Sequence, residues 1–165
     1  MRYAVLGTGP AGRTMAARLD ELGHDVAVGT RDPAATRTRE DVAEWTSGHP
    51  AVRLATYADA ASDAEVVLNM TNGDGALDAV AAAGDQLVGK VLLDVSNPLD
   101  FSRGFPPRLS VKDTDSLAEQ IQRAHPDVID LGDLSTARGA EMLLPLWVRL
   151  MSRLGTARFN VKIVR

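Results

Sequence analysis

Three glycines near the start of the chain have the spacing of a phosphate-binding turn. Gly7, Gly9 and Gly12 form the pattern G-x-G-x-x-G between an apolar segment and an Ala- and Leu-rich one. In such a turn the first glycine permits a tight bend, the second lets the backbone approach a pyrophosphate, and the third lets a helix pack on a strand. We therefore predict a dinucleotide site, the alternative being glycines that serve only a tight turn. Its residues are Gly7, Thr8, Gly9, Pro10, Ala11 and Gly12.

The residues at the end of the second predicted strand indicate which dinucleotide binds. An NAD site places Asp or Glu there, about 20 residues after the glycine turn, to hold the ribose 2′-hydroxyl. In this chain Gly29 or Thr30 takes that position, and Arg31 follows. A hydroxyl and a guanidinium suit the 2′-phosphate of NADP, which arginine can bind with two parallel hydrogen bonds. We therefore predict NADP as the cofactor, with Thr30 and Arg31 at its 2′-phosphate.

Neighbouring charged residues allow other interpretations of this segment. Arg31 can instead be a solvated turn residue, and Asp32, one position after the usual acid, can cap the next helix. Arg37 and Arg39 can add positive charge near the phosphate or be ordinary surface residues. The missing acid therefore supports NADP as much as the arginine does.

Two later turns are predicted at the same edge of the sheet. Asn69, Met70 and Thr71 end one predicted strand, and Asn97 and Pro98 follow the next. Ligands of open α/β sheets bind outside the carboxyl ends of the strands. Small polar residues there can contact the nicotinamide ribose and carboxamide, so we assign these five residues to the cofactor site. The alternative is turn chemistry, since Asn-Gly and Asn-Pro pairs are common in turns.

The remaining titratable residues form no pattern typical of a hydrolytic triad or a metal site. His24, His49 and His125 are scattered over predicted loops, and Asp94 ends a predicted strand. Direct hydride transfer between two bound molecules requires only that the donor and acceptor carbons be positioned. We therefore predict no catalytic side chain and no metal ion.

The first hundred residues alternate short apolar segments with helical patterns. Strands rich in Val, Leu and Ala are typical of a sheet buried on both faces, and alternation with helices predicts βαβ units. Right-handed crossovers then give an α/β fold with a doubly wound, Rossmann-like, mostly parallel sheet and helices on both faces. The predicted strands are Tyr3–Leu6, Asp25–Val28, Val52–Ala55, Glu65–Met70 and Lys90–Asp94, and the predicted helices are Ala11–Leu22, Thr38–Thr46, Ala58–Ala61 and Ala76–Gly84.

The C-terminal third has a different pattern. We expect a proline-rich loop, a helix capped by Asp115, a strand, a helix that is apolar nearly all round, and a last strand. No linker divides the chain, so residues 1–165 are one domain, with 1–100 as the dinucleotide-binding core and 101–165 forming a substrate pocket or a dimer contact. The C-terminal segments are Ser96–Val111, the helix to Ala124, Pro126–Asp133, Arg138–Leu154 and Phe159–Val164.

Composition limits the possible partners. Of the 165 residues, 45% are hydrophobic and 24% charged, as in soluble globular domains. The net charge of -4 argues against general nucleic-acid binding, and the absence of cysteine excludes disulfides and thiolate catalysis. No apolar run approaches the roughly 18 residues of a membrane span, and the N-terminus has no signal-peptide pattern. We therefore expect a cytoplasmic protein that binds neither nucleic acid nor membranes.

Longer segments resemble the NADPH-dependent, coenzyme F420-type oxidoreductases, which pass a hydride between NADP and an 8-hydroxy-5-deazaflavin. The resemblance covers nearly the whole chain and is most specific in "DVSNPLDFSRG" and "LGDLSTARGAEMLLPLW". It implies pyrophosphate binding at Gly7–Gly12, 2′-phosphate binding at Thr30 and Arg31, and nicotinamide contacts near Asn69–Thr71 and Asn97–Pro98. The reaction it implies is hydride transfer between NADPH and a deazaflavin or a similar small molecule.

The chain departs from this family's pattern near residue 125. Two strands, a helix and their loops, roughly 45 residues, are missing before "DVIDLGD", so the C-terminal half is shortened. Their loss would leave the strand Lys90–Asp94 as an apolar edge, which invites association. The candidates to cover it are Val128–Leu131, Arg138–Leu154 and Phe159–Val164. We therefore expect a homodimer in which these segments pack against, or swap with, the other subunit. An alternative function is a non-redox domain, regulatory or natural-product tailoring, that retains the NADP-binding fold without the second-substrate pocket.

Overall fold

The strands of the protein form one seven-stranded sheet and a separate two-stranded hairpin. The computed structural model describes residues 1–100, 102–105, 108–111, 115–124, 128–133 and 160–164. The strands are β1 (Arg2–Leu6), β2 (Asp25–Thr30), β3 (Arg53–Thr56), β4 (Val66–Asn69), β5 (Val91–Asp94), β6 (Leu99–Asp100), β7 (Arg108–Leu109), β8 (Val128–Asp133) and β9 (Asn160–Val164). The large sheet has the order β3-β2-β1-β4-β5-β9-β8, and its first five strands are parallel, while β6 and β7 form the hairpin. This confirms the predicted doubly wound α/β fold.

Helices connect the parallel strands and cover the sheet. Every helix that the structure describes is shorter than the roughly 18 residues that a membrane span requires. The helices are α1 (Pro10–Glu21), α2 (Pro33–Arg37), α3 (Glu40–Gly48), α4 (Tyr57–Ser62), α5 (Gly73–Ala83) and α6 (Leu117–Ala124), with a 3₁₀ turn at Gly84–Leu87.

The parallel strands are buried because both faces of the sheet are covered. On one face Val5 and Val28 pack with Leu19 of α1, and on the other Leu6 lies in the cluster that contains Ile121 of α6. Burial on both faces explains why these strands read as nearly continuous apolar segments rather than as alternating ones.

The C-terminal strands correct one expectation from the sequence. Strand β5 is paired within its own chain, since β9 runs antiparallel to it with Lys162 opposite Leu92. Strand β8 then pairs antiparallel with β9 on the far side. The strand expected at Phe159–Val164 therefore does cover Lys90–Asp94, as β9. It does so within one chain, so the expectation that a second subunit is needed to cover this edge is wrong.

Two local predictions also differ from the structure. The helix expected at Thr38–Thr46 is found as α3, which begins and ends two residues later, and the short helix α2 that precedes it was not predicted. The cap of α6 is Ser116, whose Oγ accepts the Glu119 N–H at 3.1 Å, whereas Asp115 accepts from Arg123 Nη2 at 2.8 Å. The apolar helix predicted at Arg138–Leu154 lies outside the described residues.

Candidate nucleotide-binding site

The glycine turn joins the carboxyl end of β1 to α1. Gly7 has a φ of +115°, a conformation rare for residues with a side chain, and a Cβ there would lie 2.9 Å from Met70 O. Its N–H donates to Gly29 O of β2 at 2.9 Å. The turn is therefore fixed between the ends of β2 and β4.

The other two glycines of the motif have separate roles. Gly9 is the N-cap of α1, and a Cβ added to it would meet nothing within 4 Å, so the space over the first turn of the helix is open. A Cβ on Gly12 would lie 2.2 Å from Gly7 O, which no packing tolerates. Gly12 therefore allows the helix to approach the turn, while Gly9 leaves the helix N-terminus accessible, where unpaired N–H groups and the helix dipole attract anions.

Gly29 and Thr30, the two positions where an NAD site would have its Asp or Glu, face the protein interior. A Cβ on Gly29 would lie 2.9 Å from Leu6 Cδ2 and 3.1 Å from Tyr57 Cδ1. Thr30 is buried, and its hydroxyl shares a 2.8 Å hydrogen bond with the hydroxyl of Thr36 in α2. Neither position presents a side chain to a ribose at this edge, and Thr30 instead holds α2 against the sheet.

The next two residues, Arg31 and Asp32, also differ in role. Asp32 Oδ1 accepts the Ala35 N–H at 3.0 Å and caps α2, so its carboxylate serves that helix. Arg31 is exposed. Burial raises the pKa of the Tyr57 phenol, and the positive charge of Arg31 is close enough to oppose that rise. Of the two predicted 2′-phosphate ligands, Arg31 is therefore presented to solvent and Thr30 is not.

A buried polar network joins the ends of β4 and β5. Asn69, which has no exposed surface, donates from Nδ2 to Asp94 Oδ1 at 3.1 Å and accepts from Thr71 Oγ1 at 2.7 Å. Asp94 Oδ1 also accepts from Ser96 N–H at 3.2 Å and from Ser96 Oγ at 2.6 Å. Buried amides and carboxylates are stable when they are satisfied in this way. The network therefore holds the two strand-end turns in a fixed relation, with Asn69 beneath the surface.

The Asn97–Pro98 turn packs on the start of α5. Gly73 N–H donates to Asn97 O at 3.2 Å, and a Cβ on Gly73 would lie 2.3 Å from Pro98 Cα. Asn72 caps the helix by accepting the Gly75 N–H at 3.1 Å. Pro98 therefore serves packing, whereas the exposed Asn97 faces the space above the turn.

These turns border a cleft of about 660 Å³ at the carboxyl edge of the parallel strands. Its volume is typical of small-molecule sites. The start of α1, the ends of β4 and β5, and the β6–β7 hairpin all contribute to it. The cleft is lined by Gly9, Pro10, Ala11, Met70, Thr71, Asn72, Asp74, Val95, Asn97, Leu99, Asp100, Ser102 and Ser110.

Six of the thirteen predicted site residues line this cleft. Those in the cleft are Gly9, Pro10, Ala11, Met70, Thr71 and Asn97. Gly7 and Gly12 shape the turn, Thr8 lies on it, and Asn69 and Pro98 support the cleft from below. The hairpin residues Leu99, Asp100, Ser102 and Ser110 were not predicted, because two-residue strands are too short to give a periodic signal.

Two of the three histidines have partners outside the cleft. The His24 ring lies 5.0 Å from the Tyr3 ring, and His49 Nδ1 is 2.8 Å from Trp45 O. His125 lies outside the described residues.

Another cavity, of about 500 Å³, lies at the amino edge of the sheet. There Lys90 Nζ donates to Ser62 O at 2.6 Å, and Arg2 Nε donates to Asp63 O at 2.5 Å. These cations satisfy carbonyls at and beyond the end of α4, which is a structural role. Its lining includes none of the predicted site residues.

The arrangement around the glycine turn fits NADP. Gly9 leaves open a space that any larger side chain would fill, at a helix N-terminus suited to a pyrophosphate. At the end of β2 an exposed arginine directly follows the positions where an NAD site presents a carboxylate. The cleft beyond holds small polar and apolar side chains beside the same turn.

A family model and two kinds of curated protein, F420-dependent NADP reductases and a metalloreductase, match this chain. The model of the family described as "NADP oxidoreductase coenzyme F420-dependent" matches residues 2–98. The F420-dependent NADP reductase of Methanothermobacter marburgensis is 34% identical over 107 residues, which are 63% of this chain and 48% of that protein. The metalloreductase STEAP3 of Rattus norvegicus is 29% identical over 102 residues, 62% of this chain and 19% of that protein. The chain thus spans at most about half the length of these curated relatives.

One solved structure matches over almost the full length of both chains. It is a protein from Arthrobacter sp. FB24 described as a candidate F420-dependent NADP reductase, 43% identical with a TM-score of 0.74. The match covers 95% of this chain and 96% of the other, so the two have similar lengths.

Proposed function

We propose that this chain, which belongs to the family of coenzyme F420-dependent NADP oxidoreductases because that family's model matches residues 2–98, transfers a hydride between NADPH and a deazaflavin such as coenzyme F420. The family is one of NADP-dependent oxidoreductases. The matched reductase of Methanothermobacter marburgensis is named for both substrates. Since this chain spans about half of that protein, the deazaflavin acceptor is a proposal that the acceptor experiment below tests.

The observation that carries the proposal is the contrast between Gly9 and the end of β2. A Cβ on Gly9 would meet nothing within 4 Å, whereas a Cβ on Gly29 would be 2.9 Å from Leu6 Cδ2. The turn is therefore open where a pyrophosphate approaches and closed where an NAD enzyme places its acid. Exposed Arg31 beside this closed position supports selection of a 2′-phosphate.

The residues of the chain act by binding and orientation. Main-chain N–H groups at the start of α1, such as those of Ala11 and Gly12, bind the pyrophosphate, because the Gly7 N–H is bonded to Gly29 O and Pro10 has none. Arg31 binds the 2′-phosphate. Met70, Thr71 and Asn97 line the cleft next to the turn and orient the nicotinamide end. When bound, NADP supplies the carbon that gives or accepts the hydride.

The buried network keeps this surface rigid. Asn69 and Asp94 fix the hydroxyls of Thr71 and Ser96 through hydrogen bonds of 2.6–2.7 Å at each end. A preorganised surface lowers the entropy cost of bringing two carbons into contact. The proposal needs no side chain as acid or base, because hydride transfer depends on this positioning.

The proposal includes a homodimer in the cytoplasm. Since β9 covers β5, an open edge no longer supports the dimer. Its remaining support is the apolar sequence Arg138–Leu154, with Trp147 among its leucines. Light scattering should give twice the mass of one chain, and Trp147→Glu should dissociate or unfold it, whereas a stable monomer at micromolar concentration would contradict the dimer.

A test with several acceptors addresses the function directly. NADPH is mixed with the full chain and with the 8-hydroxy-5-deazaflavin, with FMN, or with no acceptor, and the loss of NADPH absorbance is followed. Oxidation that requires both the protein and the deazaflavin supports the proposal. Binding of NADPH without oxidation by any acceptor would favour the non-redox alternative, and oxidation by FMN alone would replace the deazaflavin by a flavin.

A further inference from the structure

Arg39 contacts the glycine turn and is not among the residues that line the cleft. It precedes α3 as its N-cap residue, and its Nη1 donates to Thr8 Oγ1 at 3.4 Å. Thr8 is the residue between the first two glycines of the turn. The guanidinium therefore lies beside the nucleotide turn although it is 31 positions away in sequence.

The orientation of this guanidinium is set by Asp41. Arg39 Nε and Nη2 donate to the two carboxylate oxygens of Asp41 at 3.2 and 2.8 Å. Arg13, which directly follows the third glycine, contacts Asp41 Oδ2 at 3.0 Å and also donates to its main-chain carbonyl. Asp41 is thus held by two contacts from Arg13 and itself binds Arg39 through two hydrogen bonds. This arrangement leaves Nη1 of Arg39 directed at the turn.

Charge in this cluster remains positive. Asp41 is shared between two arginines, so the three side chains together carry a net charge of about +1 at neutral pH. Desolvation raises the pKa of Asp41, but the hydrogen bond and charge of Arg39 and the charge of Arg13 outweigh it, so that pKa lies below its ordinary value. Asp41 and the two arginines are therefore all ionised at neutral pH.

We propose that Arg39 is a second 2′-phosphate-binding residue, positioned by Asp41, that acts together with Arg31 to select NADP over NAD. Gly7 N–H is bonded to Gly29 O, so the turn under Arg39 and the strand end before Arg31 are adjacent. The two arginines thus approach the end of β2 from the α3 side and from the strand itself. The inference rests on the proposed function insofar as it assumes an NADP site.

Arg37 provides a matched control for this proposal. It is an exposed arginine in the last turn of α2, two residues before Arg39. Among the described residues it has no hydrogen bond or ion pair that reaches the glycine turn. General attraction of a phosphate by surface charge would involve both arginines, whereas the proposal involves only Arg39.

The test uses adenosine 2′,5′-bisphosphate and 5′-AMP, which differ only in the 2′-phosphate. Calorimetric titration of the full chain should show Arg39→Ala lowering affinity for the bisphosphate about tenfold, with 5′-AMP within about twofold of wild type. Arg37→Ala should change neither affinity beyond about twofold. Melting temperatures of all variants report whether each is folded.

Asp41→Asn tests whether Asp41 positions Arg39, because the two explanations predict opposite changes in affinity for the bisphosphate. If Asp41 orients Arg39, the bisphosphate binds more weakly to Asp41→Asn, and the substitution has no further effect in Arg39→Ala. If only net charge matters, removal of a carboxylate strengthens binding, which would overturn the role of Asp41.

The role of Arg39 is overturned by any of three results. These are a wild-type protein that binds both probes equally, an Arg39→Ala protein that loses affinity for both or for neither, and an Arg37→Ala protein that loses as much. Because the probes contain no nicotinamide, these titrations are independent of hydride transfer. A selective Arg39 effect without any NADPH oxidation would retain this inference and reject the proposed reaction.

Discussion

Arg31 is the exposed residue at the point where NADP and NAD enzymes differ, since Gly29 and Thr30 face inward. Loss of a charge-assisted contact to a phosphate costs about 1.5–3 kcal/mol, so Arg31→Ala should weaken NADPH binding roughly 10–100-fold. NADH, which has no 2′-phosphate, should bind weakly to both proteins. Fluorescence titration of both nucleotides measures this, and equal wild-type affinities unchanged by the substitution would reject the assignment.

The histidines provide a second prediction for single residues. His24 contacts the Tyr3 ring and His49 the Trp45 carbonyl, both outside the cleft. His24→Ala, His49→Ala and His125→Ala should therefore each retain most of the rate of NADPH oxidation. A loss of about 10³-fold or more in any of them would indicate acid–base catalysis.

The sequence predicted where the site lies better than it predicted what each of its residues does. The spacing of Gly7, Gly9 and Gly12 indicated a turn, and the absence of an acid after β2 indicated NADP. The direction of each side chain depends on packing that no local pattern contains. Thr30 and Asn69 were therefore assigned to the ligand surface, although both are buried and bonded to other protein groups.

The junction of β1 and α1 gives a prediction that separates binding from folding. Gly9→Ala adds a methyl group to open space at a φ of -70°, so the protein should fold normally. The methyl group then blocks the approach of the pyrophosphate and should weaken NADPH binding at least about tenfold, or about 1.4 kcal/mol.

Gly12→Ala is the matched control in the same turn. Its Cβ would lie 2.2 Å from Gly7 O, so the helix must move, and overpacking of this kind costs about 1–3 kcal/mol or more of unfolding free energy. Thermal melts and NADPH titrations of both variants make the comparison. A destabilised Gly9→Ala protein, or one with wild-type affinity, would contradict the role given to the open turn.

Elements with a strong pattern were predicted and short ones were not. The five parallel strands are found within one or two residues of their predicted ends, because apolar segments bounded by turn residues are distinctive. The β6–β7 hairpin and the five-residue helix α2 are too short to give a periodic signal. The N-cap of α6 is Ser116, one position after the predicted Asp115. The sequence could not distinguish the two, because Ser and Asp are similarly favoured at N-caps.

Pairing of β9 with β5 is the contact that completes the sheet. Because β9 lies between β5 and β8, Lys162 has a partner on both sides, Leu92 of β5 and Asp130 of β8. Lys162→Pro removes its N–H donor and should cost about 1–3 kcal/mol of unfolding free energy. The control Lys162→Thr retains the donor. Chemical denaturation measures both, and a Lys162→Pro protein as stable as the control would show that β9 does not pair there.

The whole-molecule topology was only partly predictable. The family resemblance is confirmed by the match to residues 2–98. The return of residues 160–164 to β5, more than 60 positions away, leaves no signal in the local pattern of either strand.

Direct hydride transfer is the central claim, and isotope transfer tests it most directly. NADPH deuterated at both nicotinamide C4 positions is incubated in ordinary water with the full chain and the 8-hydroxy-5-deazaflavin, and the reduced deazaflavin is analysed by mass spectrometry. Transfer between two positioned carbons predicts one deuterium in each reduced molecule, with none diluted by solvent. Reduced deazaflavin without deuterium, or NADPH that is bound but never oxidised, would contradict it.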